Sequence, residues 1–503
     1  MLLLNRFKGV VASQPDAIAV KQGDNSFSYR ELNRTASSVA WHLQDLGISQ
    51  GDRVALVLPN SFEYIAVFYG IWLSGGITVA LNTQAKASDI SNWVEHSDAE
   101  YLFIEENHPE LGVLDELIKT DVTIVPVNCS ASSSHSGHST TWHKIVNGNF
   151  ENDYSPPSRD DVASIIYTSG TSGSPKGVTL THGNLNSNID SILGYLSLSS
   201  RDSIVNVLPF FYSYGNSILH THLVVGARLV LENSLLYPHR VVELITNESV
   251  TGFSGVPSTY SLILARVKLE EFSFPSLRYM TQAGGPMSPT LSDKILTALP
   301  NIDFFIMYGQ TEATARLTYL PPKMLRKKRG SVGIPIPGVT IEIKNKNNKN
   351  VSVGETGEIY AKGDNIMRGY WKDESSTLST LREGWLHTGD LAHYDSDGYL
   401  YIDGRSSDMI KTGGNRISPK EIEEVIQELD GVEEVAVVGL QDDILGEVIK
   451  AFIIPTPKSG LKEMAVRRHC KDNLANYKIP KSIEFIKTLP KTASGKIKRF
   501  LLK

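Results

Sequence analysis

Between residues 167 and 177 the chain reads Tyr-Thr-Ser-Gly-Thr-Ser-Gly-Ser-Pro-Lys-Gly, a run of small, hydroxyl-bearing and cationic residues suited to gripping a polyphosphate. Glycines at 170, 173 and 177 permit positive φ and let backbone N–H groups approach an anion, while Thr168, Ser169, Thr171, Ser172 and Lys176 add donors and charge. The P-loop of nucleotide triphosphatases is a different pattern, because it needs Gly-Lys followed by Ser or Thr to put a hydroxyl on magnesium. Here Pro175 precedes Lys176 and Gly177 follows it, so that hydroxyl is missing. A flexible Gly/Ser surface loop is the plain alternative.

The elements that would position such a loop are read from hydrophobic periodicity. Residues 163–168 are β-branched and apolar, and Leu185, Ile189, Ile192, Leu193 and Leu196 recur at helical spacing, which predicts a strand before the loop and a helix after it. From Asp52 to Met307, short apolar runs alternate with helical patterns, at Val54 to Leu58, Tyr101 to Ile104, Val122 to Val127, Ile204 to Leu208, Leu229 to Leu231 and Phe304 to Met307. That is the rhythm of α/β layers. Strands dominate residues 339–403, and after Asp403 a compact α+β pattern begins, with strands near Val435 to Val438, Val448 to Ile454 and Ser482 to Ile486. Its first helix is expected to start with Ser418 as cap, Pro419 in the first helical position and Glu421 completing a capping box.

The expected fold is therefore α/β: a large N-terminal domain, 1–403, of layered subdomains plus a small β region, a hinge at 404–408, and a small mobile α+β C-terminal domain at 409–503. Residues 130–160 are expected to form a flexible loop, since 130–143 is too polar to pack; its three histidines read as surface residues rather than a metal cluster.

With 503 residues, 41% of them apolar, and a net charge of −6, the chain can bury a sizeable core in more than one domain. No apolar run reaches the roughly 18 residues of a membrane span. Met1 to Leu4 stops at Asn5 and Arg6, too short for a signal-peptide core. Cys129 and Cys470 lie far apart without metal spacing, so neither a disulfide framework nor a zinc site is supported. These features favour a cytoplasmic protein. The mildly acidic balance argues against nucleic acid as a partner, and the basic run Lys323 to Arg329 is local and reads first as a solvated turn.

Five motifs then occur in one order: the phosphate loop, Tyr308-Gly-Gln-Thr-Glu312, Trp385-Leu-His-Thr-Gly-Asp390, Gly404-Arg-Ser-Ser-Asp-Met-Ile-Lys411 and Pro490-Lys-Thr-Ala-Ser-Gly-Lys496. The set, which covers essentially the whole chain, resembles the adenylate-forming superfamily of acyl-CoA synthetases, peptide-synthetase adenylation domains and beetle luciferases. The resemblance implies two steps: a carboxylate attacks the α-phosphate of ATP to give acyl-AMP and pyrophosphate, and a thiol then takes the acyl group. It makes Lys496 the catalytic cation where charge develops. Glu312 would hold Mg²⁺, which prefers oxygen ligands, and Thr311 would give a hydroxyl to the α-phosphate. Tyr308 would lie against adenine beside Gly284 and Gly285, Asp390 would accept the ribose hydroxyls, and Arg405 would support ribose or phosphate. Ser407 falls on the hinge, where relatives carry Asp or Lys; Asp408 next door could substitute. Lys411, Gly413 and Gly414 would line a passage for the thiol arm of CoA or of a carrier protein's phosphopantetheine.

The acid pocket is expected in Pro209 to Asn216 and in residues after Glu312. Ser213 stands where amino-acid adenylation domains have an aspartate for the α-amino group, and a serine cannot neutralise an ammonium. Phe211, Tyr212 as gate, Ser213 and Asn216 are the expected pocket residues, with Phe210 and Tyr214 beside them; two of the four aromatics could simply pack the core. The expected acid is fatty, aryl or otherwise apolar, and fatty acid metabolism is one setting. Three readings stand: an acyl-CoA ligase, a ligase that loads an acyl or peptidyl carrier protein, and a non-catalytic acyl-AMP-binding relative.

Overall fold

The helix Phe62–Leu73 is apolar on every side and buried from Tyr64 to its end, so other elements must enclose it. In the computed structural model they do: its aromatics join one large core with residues from the two largest sheets, among them Ile166, Val178, Ile204 and Phe253. The structure describes residues 1–118, 122–129, 140–147, 155–168, 176–406, 408–412, 415–442, 446–457, 459–491 and 497–503.

Among the described residues the strands form four sheets, of nine, seven, five and five strands. The largest has a parallel centre, Asp303–Tyr308, Tyr279–Gln282, Gly252–Gly255, Ser203–Asn206, Arg228–Leu231 and Ile18–Gln22 in spatial order. These strands are nearly all buried, as parallel strands covered on both faces must be. The seven-stranded sheet runs Gly369–Tyr370, Lys176–Thr181, Val162–Thr168, Ile77–Ala80, Arg53–Val57, Ala99–Glu105 and Thr123–Val127. A third sheet is built on Val339–Lys344, Gly357–Gly363 and Trp385–Tyr394, with Leu400–Arg405 on its edge. The last, Asn415–Ile417, Ile410–Thr412, Gly446–Pro455 and Val432–Asp442 with Ser482–Phe485, belongs to the smaller C-terminal part, which has a core of its own. Every strand expected from apolar runs is present within a few residues.

Four expectations need correction. The phosphate loop joins two antiparallel strands, Val162–Thr168 and Lys176–Thr181, rather than a strand and a helix. The helix His182–Leu196 follows only after the second strand, with Thr181 and Asn184 forming its capping box. Ser418 does not cap its helix: its hydroxyl donates to the Asp403 carbonyl, and Glu421 pairs with Lys478 at 2.5 Å. Within the expected loop 130–160, Thr140–Asn147 is a helix that places Trp142 and Ile145 in the main core; residues 130–139 and 148–154 lie outside the described residues. The basic run is not merely solvated, because Lys328 pairs with Asp395 and Asp397, and Arg329 pairs with Asp293.

Helix Ser213–Leu223 carries two buried histidines. His220 bonds Tyr69 at 3.0 Å and stacks on Trp72 at 4.8 Å; His222 bonds Tyr279 at 2.9 Å. Burial pushes the pKa of His220 down to about 3 and that of His222 to about 4, and His182, edge-on to Trp72, goes to about 4. Unfolded, each protonates near about 6.5. The unfolded state therefore binds protons first, and this stability is present above about pH 6.5 and is lost as the pH falls towards 4 and 3. Melting temperature is expected to drop across that window, and His220→Phe to drop less steeply. Identical slopes for the two proteins would contradict the assignment.

Candidate active site

The parallel strands of the largest sheet end on one edge, and the expected site residues follow those ends, where open α/β sheets bind ligands. After Asp303–Tyr308 the chain turns sharply at Gly309, where a Cβ would stand 2.1 Å from the Ala315 carbonyl oxygen. The short turn Thr311–Ala313 then presents Thr311 and Glu312. Thr311 Oγ1 lies 3.3 Å from Ser213 Oγ, at the start of helix Ser213–Leu223. Glu312 is fixed at both ends, since its carbonyl accepts from the Met367 N–H at 2.8 Å and its Oε1 accepts from the Tyr370 hydroxyl at 2.9 Å.

Tyr370 also connects this carboxylate to the phosphate loop. Its strand pairs antiparallel with Lys176–Thr181. Lys176, the first described residue after the loop, lies 4.9 Å over the Tyr370 ring and donates to Ser376 Oγ at 2.8 Å. Loop lysine and acidic residue thus share one tyrosine. Burial, and then the Glu312 charge, push the Tyr370 hydroxyl far up, so it stays a neutral donor.

On the other side of Tyr308 stands Asp390, 5% exposed. Its Oδ2 accepts from the Tyr308 hydroxyl at 2.6 Å and its Oδ1 pairs with Arg405 Nε at 2.9 Å. Asp390 and Arg405 face each other across two antiparallel strands, so register alone sets the pair. The carboxylate raises the Arg405 pKa, and burial followed by the same charge raises that of Tyr308. Tyr308 was expected to lie against a base; its ring packs on the core of the third sheet and its hydroxyl is committed to Asp390. Gly284, at φ +84°, and Gly285 follow the strand Tyr279–Gln282, and any Cβ on them would press on Val256 and Pro257.

In the expected pocket, Phe211 is buried and Tyr212 partly so, their ring centres 4.5 Å apart, and burial pushes the Tyr212 hydroxyl up to about 12. Asn216 sits one turn further along the helix, 3% exposed. Phe210 and Tyr214 pack the core instead: Phe210 lies against Tyr64, and the Tyr214 hydroxyl bonds Thr281. Thr168 starts the phosphate loop, its hydroxyl 3.5 Å from the Lys176 carbonyl. Lys411 lies apart, its side chain exposed and its N–H donating to Glu447 at 2.6 Å. Gly404 and Arg405, expected in the hinge, are paired in a strand. Ser169, Gly170, Thr171, Ser172, Gly173, Ser407, Gly413, Gly414 and Lys496 lie outside the described residues.

The sequence reading missed Tyr370, Ser376, Thr388 and Arg316. Thr388 accepts from the Asp390 N–H at 3.1 Å and donates to the Ile359 carbonyl at 2.9 Å, fixing the acidic turn. The signals available were Arg316 itself, a lone cation within Ala313-Thr-Ala-Arg-Leu317, and the place of Thr388 inside the motif Trp385 to Asp390.

Comparison with known proteins gives the family of the chain. Residues 7–371 match the AMP-binding enzyme family, and residues 421–496 match the AMP-binding enzyme C-terminal domain. The chain is 32% identical over 483 residues to a feruloyl-CoA synthase of an Amycolatopsis species, covering 96% of this chain and 94% of that protein. It is 33% identical over 497 residues to a 2-succinylbenzoate–CoA ligase of Bacillus licheniformis, covering 97% of each. Among solved structures it is similar to an o-succinylbenzoate coenzyme A synthetase from Bacillus subtilis in complex with ATP and magnesium ion, with a TM-score of 0.86, 28% identity and 99% of each chain covered. The chain belongs to the AMP-binding enzyme family. It is an AMP-forming acid–thiol ligase using ATP, Mg²⁺ and CoA. No described helix is long and apolar enough to cross a membrane.

Tyr370→Phe removes only the hydroxyl that steadies Glu312. It is expected to raise the Mg²⁺ concentration for half-maximal ATP–pyrophosphate exchange roughly tenfold, the worth of about 1.5 kcal/mol for a bond to a charged group. An unchanged Mg²⁺ requirement would show that the carboxylate is held by other means.

Proposed function

We propose that this protein activates a carboxylic acid at the junction of Thr311, Glu312 and Ser213, with the nucleotide held by Asp390 and Arg405. The observation that supports it most is the shared geometry around Tyr308: the strand that ends in this tyrosine leads on one side to Thr311 and Glu312 and on the other to the buried Asp390 pair. Asp390 is oriented by two donors and preceded by Gly389 at φ +71°, which suits a carboxylate accepting from ribose hydroxyls. Arg405 pairs with that carboxylate at 2.9 Å and steadies ribose or phosphate.

Glu312 fits a magnesium ligand, because Tyr370 holds one oxygen and no described residue pairs the other. The metal, when bound, supplies positive charge to phosphate oxygens. Thr311 donates its hydroxyl to the α-phosphate, and the loop from Thr168 to Lys176, with Ser169, Gly170, Thr171, Ser172 and Gly173, grips the β- and γ-phosphates. The acid's carboxylate oxygen attacks the α-phosphorus, and the bond to the bridging oxygen breaks so that pyrophosphate leaves with its electron pair. Two anions meet in that step, so a cation is needed where charge develops, and Lys496 is the residue for it.

The second step attaches the acyl carbon to the CoA sulfur and releases AMP. For it we propose a rotation of 409–503 about Ser407 and Asp408, bringing Lys411, Gly413 and Gly414 to the thiol passage. Phe211, Tyr212 and Asn216 border the acid, with Tyr212 as gate. CoA is the acceptor favoured over a carrier protein, because the relatives that this chain matches over nearly its whole length are a feruloyl-CoA synthase and a 2-succinylbenzoate–CoA ligase. A cytoplasmic setting belongs with this reading.

The division of labour is tested by measuring both half-reactions. Lys496→Ala is expected to lose ATP–pyrophosphate exchange by at least roughly a hundredfold, while thioester formation from supplied acyl-AMP stays near wild type. Gly414→Leu is expected to do the reverse. Loss of both half-reactions in either folded variant would contradict the assignment.

A further inference from the structure

Arg316 is 3% exposed, and among the described residues no carboxylate lies within ion-pair distance of it. Its contacts are neutral, the Tyr195 hydroxyl among them. Nε reaches Met307 Sδ at 3.3 Å, one terminal nitrogen reaches Ser217 Oγ at 3.3 Å, the other its neighbour's Ala315 carbonyl at 3.4 Å, and the guanidinium carbon lies 4.3 Å from the Tyr214 ring centre. A guanidinium does not lose its charge in a protein, and burying it without a counter-ion costs several kcal/mol. Even less buried arginines have their anions: Arg499 has Glu423, Arg228 has Glu248, Arg278 has Asp202 and the more exposed Arg405 has Asp390.

The position of Arg316 is built, since its carbonyl accepts from the side-chain amides of Asn188 at 3.1 Å and Asn365 at 2.9 Å. Asn188 Oδ1 is itself buried with no partner. The cation also has a definite relation to the reacting centre. Ser213 and Ser217 are four residues apart on one helix and share a face. Ser213 faces Thr311 and Ser217 faces Arg316. The guanidinium therefore stands about 6 Å further along the helix than the point where the acid meets Thr311, four residues at a rise of about 1.5 Å each.

We propose that Arg316 is the counter-ion for a second anionic group on the acid, so that the substrate class is dicarboxylic, with its reacting carboxyl at Thr311 and its second carboxylate on Arg316. This rests on the reading of Thr311 as the reacting end. It departs from the expectation of a wholly apolar acid: Phe211 and Tyr212 cover the spacer, and the far end meets a charge. Charge pairing in a water-excluded pocket makes the second carboxylate a strong discriminator, because a monocarboxylic acid leaves the cation unpaired.

The test compares ATP–pyrophosphate exchange for straight-chain monocarboxylic acids with α,ω-dicarboxylic acids of the same length, and for aryl acids with and without a second carboxyl, in the full-length wild type and in Arg316→Met and Arg316→Lys. At its best length the wild type is expected to prefer the dicarboxylic acid roughly tenfold or more in kcat/KM. Arg316→Met should lose that preference, and Arg316→Lys should keep its direction. A second readout needs no substrate: removing an unpaired buried charge should leave the ligand-free melting temperature of Arg316→Met unchanged or higher, whereas a structural arginine would lower it. A wild type that prefers the monocarboxylic partner in every pair overturns the proposal and leaves the ligase reading standing. So does an Arg316→Met variant that melts several degrees lower with its acid preference unaltered. No exchange with any acid of either series would count against the ligase reading itself.

Discussion

Asp390 must be buried and still available to a ligand, and much of the site follows from how that conflict is met. A carboxylate removed from water needs partners that favour its ionised form. Here one oxygen takes the Tyr308 hydroxyl and the other takes Arg405, each below 3 Å. Two sheets meet here: Tyr308 ends a strand of the nine-stranded sheet, while Asp390 and Arg405 lie on neighbouring strands of the third, Arg405 ending the strand that leads into the C-terminal part. One buried charge thus holds together the elements that must share a nucleotide. Tyr308 also passes the constraint on, since the turn after it carries Thr311 and Glu312.

A second tyrosine plays the matching part on the phosphate side. Tyr370 joins the acidic residue to the lysine that closes the phosphate loop, by a hydrogen bond on one hand and a cation over its ring on the other. Both tyrosines are kept neutral by burial, so both act as donors to carboxylates. The same logic makes Arg316 stand out. Among the described residues, the buried Arg499 has its opposite charge supplied from within by Glu423. At Arg316 the partner is left to the substrate.

Motifs whose chemistry is local could be read from the sequence: the glycines and hydroxyls around Lys176, the Thr311–Glu312 pair after an apolar strand, and the acidic turn at Asp390. What escaped was set by distant partners. Ser418, Pro419 and Glu421 satisfy every local rule for a capping box, yet the Asp403 carbonyl takes the serine and Lys478 takes the glutamate. Tyr370 lies 58 residues from Glu312, and only pairing with the strand Lys176–Thr181 brings it there. The helix Thr140–Asn147 was hidden by its polar surroundings, although Trp142 and Ile145 stand at helical spacing. Val178, Thr179 and Thr181 carried a β-branched signal for the second strand of the phosphate hairpin, and the glycines before them obscured it.

The central claim is that the doubly held Asp390 reads the ribose hydroxyls of ATP. The most direct measurement is ATP–pyrophosphate exchange with ATP and with 2′-deoxy- and 3′-deoxy-ATP, in the wild type and in Asp390→Asn, treated as a double-mutant cycle between protein and ligand. The account predicts that removing a ribose hydroxyl costs the wild type roughly tenfold or more in kcat/KM, the worth of a hydrogen bond to a charged group, and costs Asp390→Asn little. Equal penalties in the two proteins would mean that Asp390 does not touch the ribose, and its burial would need another explanation.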